Sequence, residues 1–295
     1  MNSPLIAIRD LTKRYGKSRG IENVSLDIEE GEIFGFIGPN GAGKSTTIRI
    51  LLNLIFPTSG SATIMGMDVV RNTKKIKEHI GYIPSDANAY SSMAVHEFLS
   101  YCSDFYKVAD SSDRIAELSE LFELDLTRNI AELSMGNRKK VSIVQSLLHR
   151  PKLLILDEPT TGLDPLMQAK FFELLREENR KGMTIFFSSH ILNEVQSICR
   201  RVAIIKEGKI IQLEEIEALR KKQLKRIEIE FKDKSGSEGF AAVGIQQLVA
   251  IPGNGLSFMY SGDINELLIS LSSRPIANIT IEEPSLEEIF MHYYQ

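Results

Sequence analysis

The chain has 295 residues, 43% hydrophobic and 25% charged, with a formal net charge of -4 at pH 7 and a pI near 5.9. That length suits about two domains of roughly 150 residues each, and the slight acidity argues against the basic field that generic nucleic-acid binding needs. Two widely separated cysteines, Cys102 and Cys199, read as reduced thiols of a cytosolic protein rather than a disulfide framework, and no apolar run approaches the roughly 20 residues of a membrane helix.

Met1 to Asp10 alternates apolar and polar residues and reaches a charge early, the pattern of a first strand rather than a signal peptide. Leu5–Ile8 and Val24–Ile28 read as half-buried strands. Glu32–Ile37 is a strand running into a glycine-rich loop, and Lys44–Leu54 is the helix after it. Pro57-Thr58-Ser59-Gly60 is a breaker cluster, followed by a short strand pair over Ser61–Met67. From Met93 to Leu148 apolar residues fall at helical spacing, as in Ile115, Leu118, Leu121 and Phe122, which predicts a helical insert. Strand character returns at Leu153–Leu156, Thr184–Phe187 and Val202–Ile205, with helices between, so a buried, mostly parallel sheet is expected. Glu207-Gly208-Lys209 has the form of a hairpin turn. Lys221–Arg226 is a basic candidate linker, and residues from about 222 onward read as a small α+β domain. There Ile227, Ile229 and Phe231 alternate, as do Leu256, Phe258 and Tyr260. Ile264, Leu267, Leu268 and Leu271 are helically spaced, Ile279 and Ile281 suggest another strand, and Ser285 with Glu288 forms a capping box for a last helix. The expected domains are 1–220, with the insert at about 90–148, and 221–295.

The strongest signal is Gly38-Pro39-Asn40-Gly41-Ala42-Gly43-Lys44-Ser45-Thr46, which fits G-x-x-x-x-G-K-[ST] between a strand and a helix. Glycines let the backbone wrap a phosphate chain so that several N–H groups point inward, and the helix presents its positive end. Lys44 is placed to reach the β- and γ-phosphates, Ser45 to ligate Mg²⁺, and Thr46 to lie near the α-phosphate. The strand Leu153–Leu156 then delivers Asp157-Glu158 to its C-terminal end, the edge where ligands bind in open α/β sheets. Asp157 is the candidate Mg²⁺ holder, and Glu158 the candidate base for the water that attacks the γ-phosphate.

Further segments point to one family. Leu133-Ser134-Met135-Gly136-Asn137 resembles the signature usually written LSGGQ. Asp157–Asp164 resembles the acidic motif running into the D-loop, Ser188-Ser189-His190 the switch histidine, and Tyr15 the aromatic residue that stacks on adenine. Residues 5 to about 215 thus resemble the nucleotide-binding subunits of ABC transporters. The resemblance implies an α/β fold: a P-loop NTPase with a mostly parallel sheet core, an antiparallel β subdomain and a helical insert, followed here by the small C-terminal α+β domain. It also implies ATP hydrolysis with Mg²⁺, by two subunits closing head-to-tail around two ATP molecules, as a homo- or heterodimer. Ser134 and the backbone N–H of Gly136 would contact the γ-phosphate bound to the opposite subunit, as would a helix N-terminus, and His190 the γ-phosphate of its own. The resemblance further implies that the power is delivered to a separate transmembrane permease, with the subunit peripheral on the inner face of the cell membrane; no nucleic acid is expected as partner.

Two departures stand out. The family usually has Gln or Glu after Gly-Tyr-x-Pro, whereas Gly81-Tyr82-Ile83-Pro84 is followed here by Ser85-Asp86. A serine hydroxyl is too short to span between Mg²⁺ and the attacking water; Asp86 or a water is the candidate substitute. The signature has Met135 and Asn137 where Gly and Gln are common, and Met135 is expected to point away from phosphate. Arg138-Lys139-Lys140 after it reads as a solvated helix face in preference to a source of positive potential near the nucleotide. Glu283–Phe290 resembles the tail of ATPase subunits of ABC-2-type exporters, including those for antibiotics. The competing reading is a soluble ABC ATPase that remodels ribosomes or nucleic acid; one phosphate loop, one signature and no heptad run weigh against it. No Asn-Lys-x-Asp segment for reading guanine is present, which discounts a GTP switch.

Overall fold

Alternating apolar side chains create the first hairpin. Strand β1 (Ile6–Tyr15) runs antiparallel to β2 (Ser18–Ile28), with Ile6 opposite Ile28 and Ile8 opposite Leu26, all four buried. The computed structural model describes residues 4–16, 18–86, 92–221, 225–233, 236–237, 239–241 and 243–282. After β2 come β3 (Ile33–Ile37), α1 (Lys44–Leu51), β4 (Ser59–Ile64), β5 (Met67–Asp68), α2 (Thr73–Lys77) and β6 (Ile80–Ile83). The insert follows as α3 (Val95–Tyr106), α4 (Ser111–Leu121), a 3-10 turn at Ile130–Glu132, and α5 (Met135–Leu147). Then come β7 (Leu153–Asp157), α6 (Pro165–Arg180), β8 (Thr184–Ser189), α7 (Leu192–Ile198), β9 (Arg201–Lys206) and β10 (Lys209–Glu215). The breaker cluster is partly strand: β4 begins at Ser59. Gly60 is in the left-handed region at φ +81°, and a Cβ there would lie 2.3 Å from the Asp10 carbonyl oxygen. Glycine is therefore what lets β4 cross so close to β1, where their register shifts between Arg9 and Thr12.

One sheet has the order β2-β1-β4-β5, antiparallel throughout. The other has six strands in the order β10-β9-β3-β8-β7-β6, and from β9 to β6 all neighbours are parallel. Every residue of β3, β7 and β8 is buried, as expected of a parallel sheet covered on both faces. The β9–β10 hairpin turns at Glu207 (φ +51°) and Gly208 (φ +81°), the two positive φ values that match the strand twist.

The chain divides into two compact units between Glu214 and Glu215. The second unit comprises α8 (Ile216–Lys221), β11 (Lys225–Phe231), β12 (Ile245–Ile251), β13 (Gly255–Tyr260), α9 (Ile264–Leu271) and β14 (Ile276–Glu282). Its antiparallel sheet has the order β12-β13-β11-β14. The two alternating stripes face each other across the β11–β13 pair, Ile227 opposite Phe258 and Ile229 opposite Leu256, and form a core with Leu267 and Leu271 of α9. Strand β12 had no sequence signal because its middle residues are exposed. The basic stretch is largely absorbed into elements: Lys221 closes α8, while Lys225 and Arg226 open β11. Residues 222–224, the Ser285–Glu288 capping box and the Glu283–Phe290 tail lie outside the described residues.

Arg114 of α4 ties the helical insert to the core. Its Nη2 donates to Oε1 of Glu178 on α6 at 3.0 Å, and both residues are buried. Arg114 also holds Glu117, and Lys181 holds Glu178 at 3.0 Å. Burial pushes the Glu178 carboxyl up, but Lys181 and Arg114 override it and hold it below its ordinary value. A carboxylate with a depressed folded-state pKa stabilises fully above its unfolded pKa, about 4.3, and that contribution is lost as pH falls through the lower folded value. Glu178→Gln should therefore cost about 3 kcal/mol at neutral pH, since it removes the buried anion of a buried guanidinium and leaves only the exposed Glu117. In thermal unfolding across pH, the gap between variant and wild type should be widest at neutral pH and narrow below about pH 4; a gap independent of pH would contradict this account.

Candidate functional site

The parallel register decides which loops meet. Strand β8 lies between β3 and β7, with Ser188 beside Asp157 and Ser189 beside Ile37. The loop after β3, the acids ending β7 and the histidine after β8 therefore emerge side by side at one sheet edge.

The first loop is shaped by its glycines. Gly41 and Gly43 have φ of +79° and +112°, and Gly43 is the residue before α1. A Cβ on Gly43 would lie 2.6 Å from Cγ2 of Ile21, and one on Gly38 2.3 Å from the Ile205 carbonyl oxygen. Asn40 and Gly41 are exposed, whereas Ser45 and Thr46 are half-buried at the start of the helix. The Lys44 side chain is 5% exposed and folds back over the loop. Its Nζ donates to the Gly38 carbonyl at 2.7 Å and the Pro39 carbonyl at 3.3 Å, and lies 3.3 Å from Oε1 of Glu158.

Glu158 is left-handed at φ +49°, unusual for a residue with a side chain. Its N–H donates to the Ser188 carbonyl at 3.1 Å, which fixes the turn. The same Oε1 that faces Lys44 also lies 3.2 Å from Nδ1 of His190. Asp157 is 1% exposed; its Oδ1 accepts from the Ser188 hydroxyl at 2.9 Å, and its other oxygen has no protein donor among the described residues. Lys44, Asp157, Glu158 and His190, far apart in sequence, thus form one cluster.

The other predicted residues stand apart from it. Tyr15 ends β1 with its ring 40% exposed, 5.3 Å from the Lys13 ammonium. Ser134 caps α5, its Oγ accepting from the Asn137 N–H at 3.3 Å. A Cβ on Gly136 would lie 2.5 Å from the Gly162 carbonyl oxygen, so glycine there lets α5 abut the turn after the acids. Among the described residues no hydrogen bond joins Ser134 or Gly136 to the phosphate loop of the same chain. Met135 is 54% exposed.

The ABC transporter family profile matches residues 21–161. The chain is 34% identical to the bacitracin transport ATP-binding protein BcrA of Bacillus licheniformis, over 98% of this chain and 97% of that protein. The chain belongs to the ATP-binding subunits of ABC transporters. It is also 34% identical to the linearmycin resistance ATP-binding protein LnrL of Bacillus subtilis (strain 168), over 71% of this chain and 68% of that protein. Among solved structures it is similar to an ATP-binding subunit of an ABC transporter, with a TM-score of 0.69 at 31% identity over 73% of this chain and 92% of that one. It is similar too to a dimeric ATP-binding cassette in a post-hydrolysis state bound to ADP and Pi, with a TM-score of 0.66 at 25% identity over 72% and 98%. This ABC subunit is an ATPase with a P-loop NTPase fold.

Two groups in the cassette escaped sequence reasoning. Lys139, taken as part of a solvated face, is 1% exposed, and its Nζ donates to the carbonyls of Pro84 at 2.8 Å and Ser85 at 3.1 Å. Burial pushes its ammonium down to about 8, against the pull of Asp157, Asp86 and Glu158. Lys139 lies on the helix stripe of Ser142, Ile143 and Ser146, all buried in the structure, but two serines give that stripe no apolar period in the sequence. Glu194 of α7 accepts from the Thr160 hydroxyl and the Ser189 hydroxyl, both at 2.6 Å, and so joins the turn after Glu158 to the strand end that carries His190. A carboxylate on a short helix gave no sequence cue.

The glycines allow a contrast. Gly41→Ala meets open space and costs only the left-handed penalty, about 1–2 kcal/mol. Gly43→Ala adds the collision with Ile21, so in a nucleotide titration it should weaken ATP binding at least about tenfold more than Gly41→Ala. Equal affinities would show that the packing behind the loop is irrelevant to phosphate binding.

Proposed function

We propose that this ATPase powers export through a separate membrane permease, by closing as a dimer around two MgATP molecules. The observation that carries the chemistry is the single Glu158 oxygen facing both Lys44 and His190. In this reading Gly38, Asn40, Gly41 and Gly43 wrap the phosphate chain with backbone N–H groups, Lys44 moves from Glu158 to the β- and γ-phosphates, and Thr46 lies near the α-phosphate. Glu158, released from the lysine, accepts the proton of the attacking water, and His190 holds the γ-phosphate. Tyr15, exposed at a strand end, stacks on adenine. Ser45 and Asp157 offer hard oxygen donors, and the undonated carboxylate oxygen of Asp157 suits Mg²⁺, which takes few protein ligands beside phosphate and water. Bound there, Mg²⁺ supplies neutralisation of phosphate charge.

Dimer closure explains why Ser134 and Gly136 have no bond to their own phosphate loop: their helix N-terminus serves the ATP of the opposite subunit. The dimeric solved cassette supports this. Export is supported by the full-length similarity to a bacitracin transport protein and by the linearmycin resistance relative. Among the described residues no helix is long and apolar enough to cross a membrane; in this reading the pore is supplied by the permease. A surface for it is at hand: a cleft of about 320 Å³ lined by Leu54, Tyr82, Pro84, Tyr106 and His149, beside the exposed Phe105. In this reading the subunit works at the inner face of the cell membrane, beside its permease.

Glu158→Gln keeps the shape but cannot accept the water's proton, so turnover should fall about 10²- to 10⁴-fold. MgATP should hold the variant as a dimer on gel filtration, where wild type dimerises only briefly; wild-type hydrolysis by the variant would remove Glu158 as the base. Ser134→Arg should bind ATP normally yet fail to turn over, because it blocks the opposing site. Mixed with Lys44→Ala, it leaves each dimer at most one site with both parts intact. Wild-type hydrolysis by Ser134→Arg alone would overturn the composite site.

A further inference from the structure

The loop after β6 has lost the long side chain usual in its family, yet it is held from the other side. Ser85 stands where Gln or Glu is common, and its side chain is shorter than either by at least two bonds. Lys139 makes the connection in reverse: it lies on the signature helix α5, one turn from the Ser134 cap, and donates to the carbonyls of Pro84 and Ser85.

We propose that Lys139 is a positioning residue for ATP hydrolysis, clamping the Pro84-Ser85 loop to the signature helix and setting both against the acids that end β7. The inference rests on the ATPase reading of the phosphate site. Three observations support it. The ammonium is almost wholly buried, and a buried charge is retained only where oxygens surround it. Its two hydrogen bonds go to main-chain oxygens, so the clamp is independent of which side chain stands at position 85. Its charge feels the attraction of Asp157, Asp86 and Glu158, so the cation that ties loop to helix is coupled electrostatically to the site acids. In this proposal a displacement of α5 moves the Pro84-Ser85 loop with it, through the two hydrogen bonds of Lys139. This is the link that a glutamine side chain would otherwise provide from the loop itself.

The test is steady-state ATPase kinetics with direct MgATP binding on the full chain, comparing wild type, Lys139→Met and Lys139→Gln, with Lys44→Ala as a control. Methionine keeps the length and removes both charge and donors; glutamine keeps one donor. We expect both variants to bind MgATP within about threefold of wild type while kcat falls about 10- to 100-fold for Lys139→Met and less for Lys139→Gln, the range that misplacement of a reacting group produces. Wild-type kcat in both variants overturns the proposal. So does a parallel loss of affinity and kcat, or failure of Lys139→Gln to fold, since either means that Lys139 serves the fold alone. Wild-type hydrolysis by Lys44→Ala would instead show that the phosphate-site reading is wrong, whatever Lys139 does.

Discussion

The site depends on the parallel pairing of β8 between β3 and β7. Burial on both faces makes this pairing rigid, and a shift of one residue would turn every side chain of the strand to the other face. With the observed register, the Ser188 hydroxyl meets Asp157 and the Ser188 carbonyl receives the Glu158 N–H. One strand end thus orients both acids, and the next residues carry His190 to the same oxygen of Glu158 that faces Lys44. The cluster is a consequence of sheet order rather than of any local attraction among its members.

Around that edge the backbone departs from regular geometry. Gly41, Gly43 and Glu158 all lie at positive φ. For the glycines this is inexpensive; for Glu158 it is strained, and the strain is held in place by hydrogen bonding to β8 and by the ion contacts of the carboxylate. The turn after Glu158 is then tied back to β8 through Thr160, Glu194 and Ser189. Both hydroxyls meet one buried carboxylate, so the position of the D-loop and that of the histidine-bearing strand end are not independent.

The helical insert is joined to the core by buried charge at two places. Arg114 meets Glu178 of α6, and Lys139 meets the loop after β6. Buried ions are costly unless fully partnered, so they favour one arrangement of insert against core more sharply than apolar packing would. The same helix that carries Lys139 presents Ser134 at its N-terminus, and Gly136 in its first turn abuts Gly162. The signature therefore has short physical connections to both the D-loop and the Pro84-Ser85 loop within one subunit.

Much of this was legible in the amino-acid sequence. The phosphate loop announces itself because only closely spaced glycines allow a backbone to wrap an anion, and the acids of β7 because four apolar residues before two carboxylates define a buried strand with a polar end. The alternating stripes of β11 and β13 were likewise visible, whereas strand β12 of the same sheet stayed hidden because its exposed residues carry no period. What the sequence could not disclose are partnerships between residues distant along the chain. Lys139 looked like one of three solvated cations because a lysine's environment is set by what packs over it, and its acceptors are main-chain carbonyls that have no sequence identity. Glu194 was silent for the same reason: its two hydroxyl partners come from different strand ends. Residue chemistry and local period determined the motifs and the elements; only the tertiary fold decided which of them share a charge.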